Sequence, residues 1–159
     1  MRRQDRAVTG MDNIEAIIRR CEVCRLALSD TPYPYIVPMN FGYVRKGNHI
    51  ALYFHCANEG TKLDLIRKNP HAAFEMDCSL SVLRGASGCV YTMAYESVIG
   101  QGKLSILRDD EKEEGLSALM RQYDPDQSFD FPKEAMARVT VLRLLVETIT
   151  AKRNQPEDT

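Results

Sequence analysis

The sequence has no tryptophan, almost no net charge and no long apolar segment. Lysine and arginine number 21 against 22 aspartates and glutamates, for a formal net charge of -1, so no overall field favours nucleic acid or an anionic surface. No apolar run approaches the roughly 20 residues that cross a bilayer. The basic start, Met1–Arg6, lacks the apolar core of a signal peptide. We therefore expect a cytoplasmic protein that binds neither nucleic acid nor membranes.

Cysteine is scarce as well. Five cysteines, an odd number, in a chain of 159 residues exclude a disulfide scaffold, because a chain of this length can bury a sizeable core. Cys21 and Cys24 have the spacing of a redox pair or of half a zinc site. They follow a predicted helix, however, and no second pair has similar spacing, although His55 or Cys56 could contribute a distant ligand. We predict no metal site, and we interpret these cysteines as reduced, buried thiols.

The periodicity of apolar residues predicts a single domain of residues 1–159, with its core at 12–152 and a disordered tail at 153–159. Helical spacing covers residues 12–20 and 61–70, and a third helix opens at Asp109. Asp12 and Glu15 are placed as in a capping box at the first helix. Residues 78–93 have no sustained period, which predicts a loop or an irregular strand.

Six segments rich in β-branched and aromatic residues predict a mainly β fold with flanking helices. Neighbouring strands are joined by tight turns, which favours an antiparallel barrel over a doubly wound parallel sheet. Pro38 lies inside its segment, as expected for an edge strand, a bulge or a strand whose amides serve a ligand, and Gly100 and Gly102 predict a bent or bulged strand. The six segments are 25–29, 35–43, 49–55, 72–77, 95–107 and 139–150.

The segment from His55 to Lys62 is the best candidate for a functional site. A strand there passes through a turn containing Gly60 into a helix, whose first amides have no partners within the helix and can hold an anion. Lys62 adds a full positive charge for a phosphate. The alternative is an ordinary strand–turn–helix unit with a solvated lysine.

Four segments in order give this candidate a family context. Tyr33–Phe41 contains Val-Pro-Met-Asn, and Leu52–Ile66 contains Tyr-Phe-His-Cys-Ala-x-x-Gly-x-Lys-x-Asp-x-Ile. Tyr95–Gly102 and Glu147–Lys152 follow. Together they resemble the nitroimidazole-resistance (Nim) branch of the pyridoxamine 5'-phosphate oxidase-like proteins.

The resemblance implies a six-stranded antiparallel split β-barrel that forms a homodimer with FMN at the subunit interface. In such proteins one strand follows the flavin ring, a strand–turn–helix element holds the phosphate, and a later strand approaches the flavin, in some cases from the partner subunit. The residues implied in these three roles are Pro38, Met39 and Asn40; Phe54, His55, Cys56, Gly60 and Lys62; and Ser97 and Ile99.

The resemblance also implies an FMN-dependent oxidoreductase, with a small electrophile such as a nitroaromatic as substrate and a nicotinamide nucleotide as electron donor. His55 is the candidate catalytic residue, as a proton donor or an anchor for a small acid; a structural hydrogen bond at a strand end is the alternative. The related oxidases carry Ser-Arg-Lys where this chain has Gly60-Thr61-Lys62, so oxidation of pyridoxamine phosphate is not expected. A non-catalytic flavin carrier or sensor, or a barrel that holds haem or a deazaflavin, are the alternative functions.

Overall fold

A computed structural model describes residues 3–155 as one sheet of eight strands with four helices around it. Short 3-10 turns lie at Gln4–Arg6 and Gly88–Val90. No helix in the described part of the chain is both long and apolar enough to cross a membrane. In chain order the elements are β1 (Ala7–Val8), α1 (Met11–Arg20), β2 (Cys24–Leu28), β3 (Tyr35–Met39), β4 (Gly42–Lys46), β5 (His49–Ala57), α2 (Thr61–Lys68), β6 (His71–Leu83), β7 (Thr92–Ile106), α3 (Lys112–Tyr123), α4 (Lys133–Met136) and β8 (Val139–Asn154).

The order of the strands shows why the sheet curls. Its path runs β3-β2-β6-β7-β8-β5-β4, with every pair antiparallel and β1 added beside β8. The two ends of this path, β3 and β4, are joined in the chain by Asn40 and Phe41 alone. Seven strands in a flat sheet would set those ends about 29 Å apart, whereas this link spans at most about 11 Å. The sheet must therefore roll up until its two edge strands meet.

The interior of the rolled sheet is the main hydrophobic core. Alternate residues of each strand point inward, and α1 and α2 add their apolar faces through Ile17, Ile18 and Leu63, each with no exposed surface. A smaller cluster lies outside the sheet, where α3 covers Tyr53 and Val141. The largest fully buried side chains are Phe41, Phe54, Phe74, Ile17, Ile18, Leu26, Leu28, Leu52, Leu63, Met76, Leu142 and Leu144.

The mainly β fold with flanking helices is confirmed, and several details differ from the predictions. The segment 35–43 is two strands, because the chain turns a corner at Asn40 and Phe41, and the strand number rises further with β1. Residues 78–93 mostly extend β6 and β7 into a long hairpin whose pairing shifts between Cys78 and Ser81. The predicted bulge is present as a shift between Gln101 and Gly102.

Three predicted boundaries are also corrected. Gly10 precedes α1, and no side chain caps the helix. The Asp12 carboxylate instead lies 2.6 Å from Arg45 on β4, so the capping box is wrong. The third helix begins at Lys112 rather than Asp109. β8 continues through Asn154, which places the first two residues of the predicted tail in the sheet, while 156–159 lie outside the described residues.

Gly42 permits the close approach of α3 to the corner between β3 and β4. A Cβ atom at this position would lie 2.3 Å from the main-chain nitrogen of Leu119 and 2.4 Å from the carbonyl carbon of Ala118. Both atoms belong to the backbone of α3, so a side chain could be accommodated only if the whole helix moved.

We expect Gly42→Ala to lower the free energy of unfolding by about 3 kcal/mol, the upper range for overpacking a core. Gly88→Ala is the matched control, because a Cβ at Gly88 meets nothing within 4 Å, and it should change stability by less than about 0.5 kcal/mol. Urea unfolding measures both variants. Equal stability of the two variants would show that α3 does not seat against Gly42.

A buried carboxylate stabilises the opposite end of the barrel. Glu96 on β7 is only 1% exposed, and its oxygens lie 2.5 Å from Arg20 Nη2 and 2.5 Å from Arg153 Nε. Burial alone would raise the pKa of Glu96, but the hydrogen bonds from the two guanidinium groups outweigh burial and lower it. The ionised carboxylate thus ties α1 and β8 to β7.

We expect Glu96→Gln to destabilise the protein at pH 7, by about 1–3 kcal/mol for the loss of charged hydrogen bonds. Because the folded pKa is lowered, the carboxylate contributes stability above its unfolded pKa, and this contribution disappears as the pH falls through the folded pKa. The difference between wild type and variant should therefore shrink in acid. Urea unfolding from pH 7 downward, with the exposed Glu147→Gln as control, measures it; a difference that stays constant would contradict this assignment.

Candidate functional site

The corner between β3 and β4 holds the first group of candidate residues. The amide of Phe41 donates a hydrogen bond to Tyr123 Oη at 3.0 Å, and that hydroxyl donates to the carbonyl of Glu22 at 2.8 Å. The Phe41 and Tyr123 rings also pack edge to face, with centroids 6.5 Å apart. Tyr123 therefore fixes the corner, and with it the neighbouring Met39 and Asn40.

β3 is an edge strand, paired only with β2, and Pro38 lies within it opposite Arg25. The expectation of an edge position for this proline is confirmed. Alternate residues of an antiparallel edge strand direct their polar backbone groups away from the sheet. The free side of β3 next to Met39 and Asn40 therefore has main-chain groups that a flat ligand can bind.

β5 carries the second group. β4 pairs with β5 from Lys46 opposite His49 to Gly42 opposite Tyr53, so the pair next to the corner lies two residues before His55. The pleat divides the predicted residues of β5: Phe54 and Cys56 are buried in the barrel, whereas His55 is exposed on the outer side. The side chain of Phe54 thus belongs to the core, and a ligand outside the barrel can reach only its main chain.

The turn after β5 leads to the start of α2. Gly60 precedes the helix with φ +132°, and a Cβ there would meet nothing within 4 Å, so the space around it is open. No side chain caps the helix, which leaves the amides of Thr61 and Lys62 for a ligand or solvent. Lys62 is half-buried. Its charge acts on the Cys56 thiol, although burial outweighs it and raises the Cys56 pKa.

Asn58 fixes this turn and escaped the sequence analysis. Its Nδ2 donates to the carbonyl of Ala137 at 2.8 Å, and its Oδ1 accepts a hydrogen bond from Thr140 Oγ1 at 3.0 Å. The turn is therefore attached to α4 and the start of β8, which are distant in sequence. An asparagine in a turn is too common a signal to have revealed these partners.

Ser97 and Ile99 lie elsewhere, on the outer face of β7. Ile99 is 51% exposed and pairs with Thr150 on β8, whereas His55 pairs with Val141 on the same strand. Nine residues of extended chain correspond to about 30 Å along β8. Within one chain, Ser97 and Ile99 therefore lie far from His55 and Lys62.

The outer face near Ile99 has its own polar row. Across the strands Pro38, Arg25, Glu75 and Ile99 are successive neighbours. Arg25 Nη1 lies 3.1 Å from Glu75 and 2.5 Å from Asp77. Burial and the nearby Asp77 together raise the pKa of Glu75 despite this arginine.

The cavities of the single chain are shallow. A groove of about 400 Å³ lies on the outer face, away from Lys62. A pocket of about 240 Å³ borders Lys112 and Ala137, the residue whose carbonyl binds Asn58. Neither cavity includes His55, Gly60 or Lys62 among its lining residues. The groove is lined by Ala27, Leu28, Ser29, Pro34, His71, Ala72, Ala73, Gln101, Gly102 and Glu147.

Cys21 and Cys24 are both buried, and burial is the largest cause that raises the pKa of each thiol. Within residues 3–155, no three His, Cys, Asp or Glu side chains come together as a metal site would require. The interpretation of these two cysteines as buried thiols agrees with their placement.

An antiparallel sheet that rolls up until its two edge strands meet at one corner, with helices around it, defines a split β-barrel. The family model of pyridoxamine 5'-phosphate oxidase matches residues 11–153. The chain belongs to this family, and the relationship inferred from the four motifs is confirmed.

Solved structures show the same fold. A Bacteroides thetaiotaomicron protein named for 5-nitroimidazole antibiotic resistance is 28% identical, with a TM-score of 0.79 over 92% of this chain and 85% of that chain. A FAD- and haem-binding protein from Mycobacterium smegmatis is 19% identical, with a TM-score of 0.80 over 97% and 77%. A FAD-binding protein from Mesorhizobium loti is 21% identical, with a TM-score of 0.62 over 94% and 98%. No curated protein matches the sequence significantly.

Proposed function

We propose that this protein binds FMN as a homodimer and acts as a reductase of a small electrophile such as a nitroaromatic, with electrons from a nicotinamide nucleotide. The observation that carries the proposal is the uncapped start of α2, where Gly60 and Lys62 follow the exposed His55 at the end of β5. Family membership and the solved flavin-binding relatives support a flavin as the ligand.

The start of α2 suits the phosphate end of the cofactor. The unpaired amides of Thr61 and Lys62 and the positive end of the helix dipole favour an anion. The open space at Gly60 lets a phosphate approach the backbone. Lys62 supplies the charge, without the arginine that the related oxidases carry, so this one side chain should account for much of the affinity.

The edge of β3 suits the ring end. Its outward main-chain groups near Pro38 and Met39 can orient a flat heterocycle, and Asn40 and His55 offer polar side chains beside it. When bound, FMN supplies the hydride transfer. The chain's share is then to hold the ring, to exclude water on one side and, through His55, to hold or donate a proton at the substrate.

A second copy of the chain would complete the site. The single chain keeps Ser97 and Ile99 about 30 Å along β8 from His55. The outer face around Ile99 also combines exposed apolar side chains, Ile99 and Ile36, with the ion pairs of Arg25. We infer that this face packs against the partner and that Ser97 and Ile99 of one protomer approach the flavin held by the other.

The first experiment identifies the cofactor and tests Lys62. The purified protein should show a flavin spectrum, release FMN on denaturation and sediment as a dimer. Lys62→Gln should raise the Kd for FMN about 10- to 100-fold, through the loss of a charge-assisted phosphate contact. Titration of the apoprotein, followed by flavin fluorescence, measures the Kd.

Lys68→Gln is the matched control for Lys62, because it removes an exposed lysine from the last turn of the same helix; its Kd should match wild type. Release of FAD or haem would show that the cofactor is not FMN. A colourless protein that takes up no FMN would reject the proposal. A monomer that still binds FMN would reject the placement of Ser97 and Ile99.

His55→Ala tests the chemistry separately. FMN binding should persist, whereas turnover of a nitroaromatic with reduced nicotinamide should fall about 100-fold, the lower range for losing a proton donor. His49→Ala, which removes an exposed histidine from the same strand, should leave turnover unchanged. Unchanged turnover in His55→Ala would remove its role, and a wild type that binds FMN without turnover would be a carrier or sensor.

A further inference from the structure

The Cys-x-x-Cys spacing suggests Cys24 as the partner of Cys21, but in the structure Cys78 approaches the same atom as Cys21. Cys21 ends α1 and is 2% exposed, while Cys78 lies on β6 and is partly exposed. Both thiols point at the same main-chain oxygen, that of Ile17, with Sγ–O distances of 3.3 Å for Cys21 and 3.9 Å for Cys78. The two sulfurs therefore share one hydrogen-bond acceptor, which brings them close to each other.

Cys24, by contrast, makes no hydrogen bond to the Ile17 oxygen in the described part of the chain, where Cys21 and Cys78 both do. It begins β2 and is fully buried, and the charged side chains that influence its thiol are Glu75 and Arg25. The thiol pair in this barrel is therefore 21 with 78, two residues far apart in sequence.

Cys78 lies beside the ion pair of Arg20 and Glu96. The Arg20 guanidinium is 2.5 Å from Glu96 Oε2, the carboxylate oxygen that approaches the Cys78 sulfur. Glu96 Oε2 and Ser79 Oγ lie 3.9 Å and 3.7 Å from the sulfur. A small solute can reach Cys78 because it is partly exposed, whereas Cys21 lies behind it in the core.

We propose that Cys21 and Cys78 form a peroxide-sensitive pair that closes into a disulfide bond. The Cys78 thiolate attacks hydrogen peroxide, the O–O bond breaks, and the released hydroxide takes up a proton and leaves as water; Cys78 becomes a sulfenic acid. The Cys21 sulfur then attacks the Cys78 sulfur. The S–O bond breaks, and the departing hydroxyl takes the proton of Cys21 and leaves as a second water.

The bond would join the end of α1 to β6 at the base of the long hairpin. It would close a long loop of the chain, which restricts the unfolded state and raises the melting temperature. It requires no bound flavin, so its success or failure is independent of the proposed FMN site.

The test uses the whole chain with Cys89→Ser, because the exposed Cys89 thiol would otherwise react first or join two molecules. The reduced protein receives equimolar hydrogen peroxide, is quenched with an alkylating agent under denaturing conditions, and is mapped by mass spectrometry without reduction. We expect a 21–78 cross-linked peptide that has lost two hydrogens and separates on reduction, and a higher melting temperature after oxidation.

Two single variants in this background complete the experiment. Cys24→Ala, the matched buried control, should still form the 21–78 bond. Cys21→Ala should not, and its Cys78 should instead accumulate as sulfenic and sulfinic acid. A wild-type map in which Cys21 remains alkylatable while Cys78 is oxidised, or in which Cys21 pairs with Cys24, would overturn the proposal even if a variant failed to fold.

Discussion

The rest of the structure depends on the two-residue link between β3 and β4. These strands are the two edges of the sheet, yet only Asn40 and Phe41 separate them in the chain. A link of about 11 Å cannot join the edges of a flat seven-stranded sheet, so the barrel follows from chain connectivity before any side chain is considered. Phe41, buried and held by Tyr123, then fixes the angle at which the edges meet.

The same link joins the elements that carry the candidate residues. An edge strand must leave some backbone groups unpaired, and the link connects the edge strand β3 to β4, which pairs with β5. The start of α2 follows β5 and has unpaired amides of its own. Proteins usually cover or charge such edges. In this chain β3 pairs with β2 alone, and no other strand of the described residues covers its free side.

Much of the fold could be predicted because its signals are local. Helical spacing over residues 12–20 predicted α1, whose buried residues are Ile14, Ile17 and Ile18, and Gly100 and Gly102 predicted the bulge in β7. The errors arose where distant contacts decide. The local pattern predicted Asp12 as a helix cap, because nothing near it in the sequence shows that Arg45 lies opposite and binds its carboxylate. The sequence around Asn40 resembles one continuous strand. No neighbouring residue indicates that Phe41 turns into the core or that Gly42 leaves space for the backbone of α3.

The candidate site divides in the same way. The turn around Gly60 and Lys62 could be found from sequence, since strand, glycine and helix are consecutive. Asn58 could not, because its partners Ala137 and Thr140 follow some eighty positions later. Cysteine spacing is equally silent about distant neighbours: Cys21-x-x-Cys24 is a local pattern of two buried thiols, whereas the Ile17 oxygen that Cys21 contacts is shared with Cys78. Strand alternation also gives adjacent residues of β5 different environments. Phe54 must fill the barrel and His55 must leave it, so substitutions at Phe54 should act through stability and those at His55 through the site.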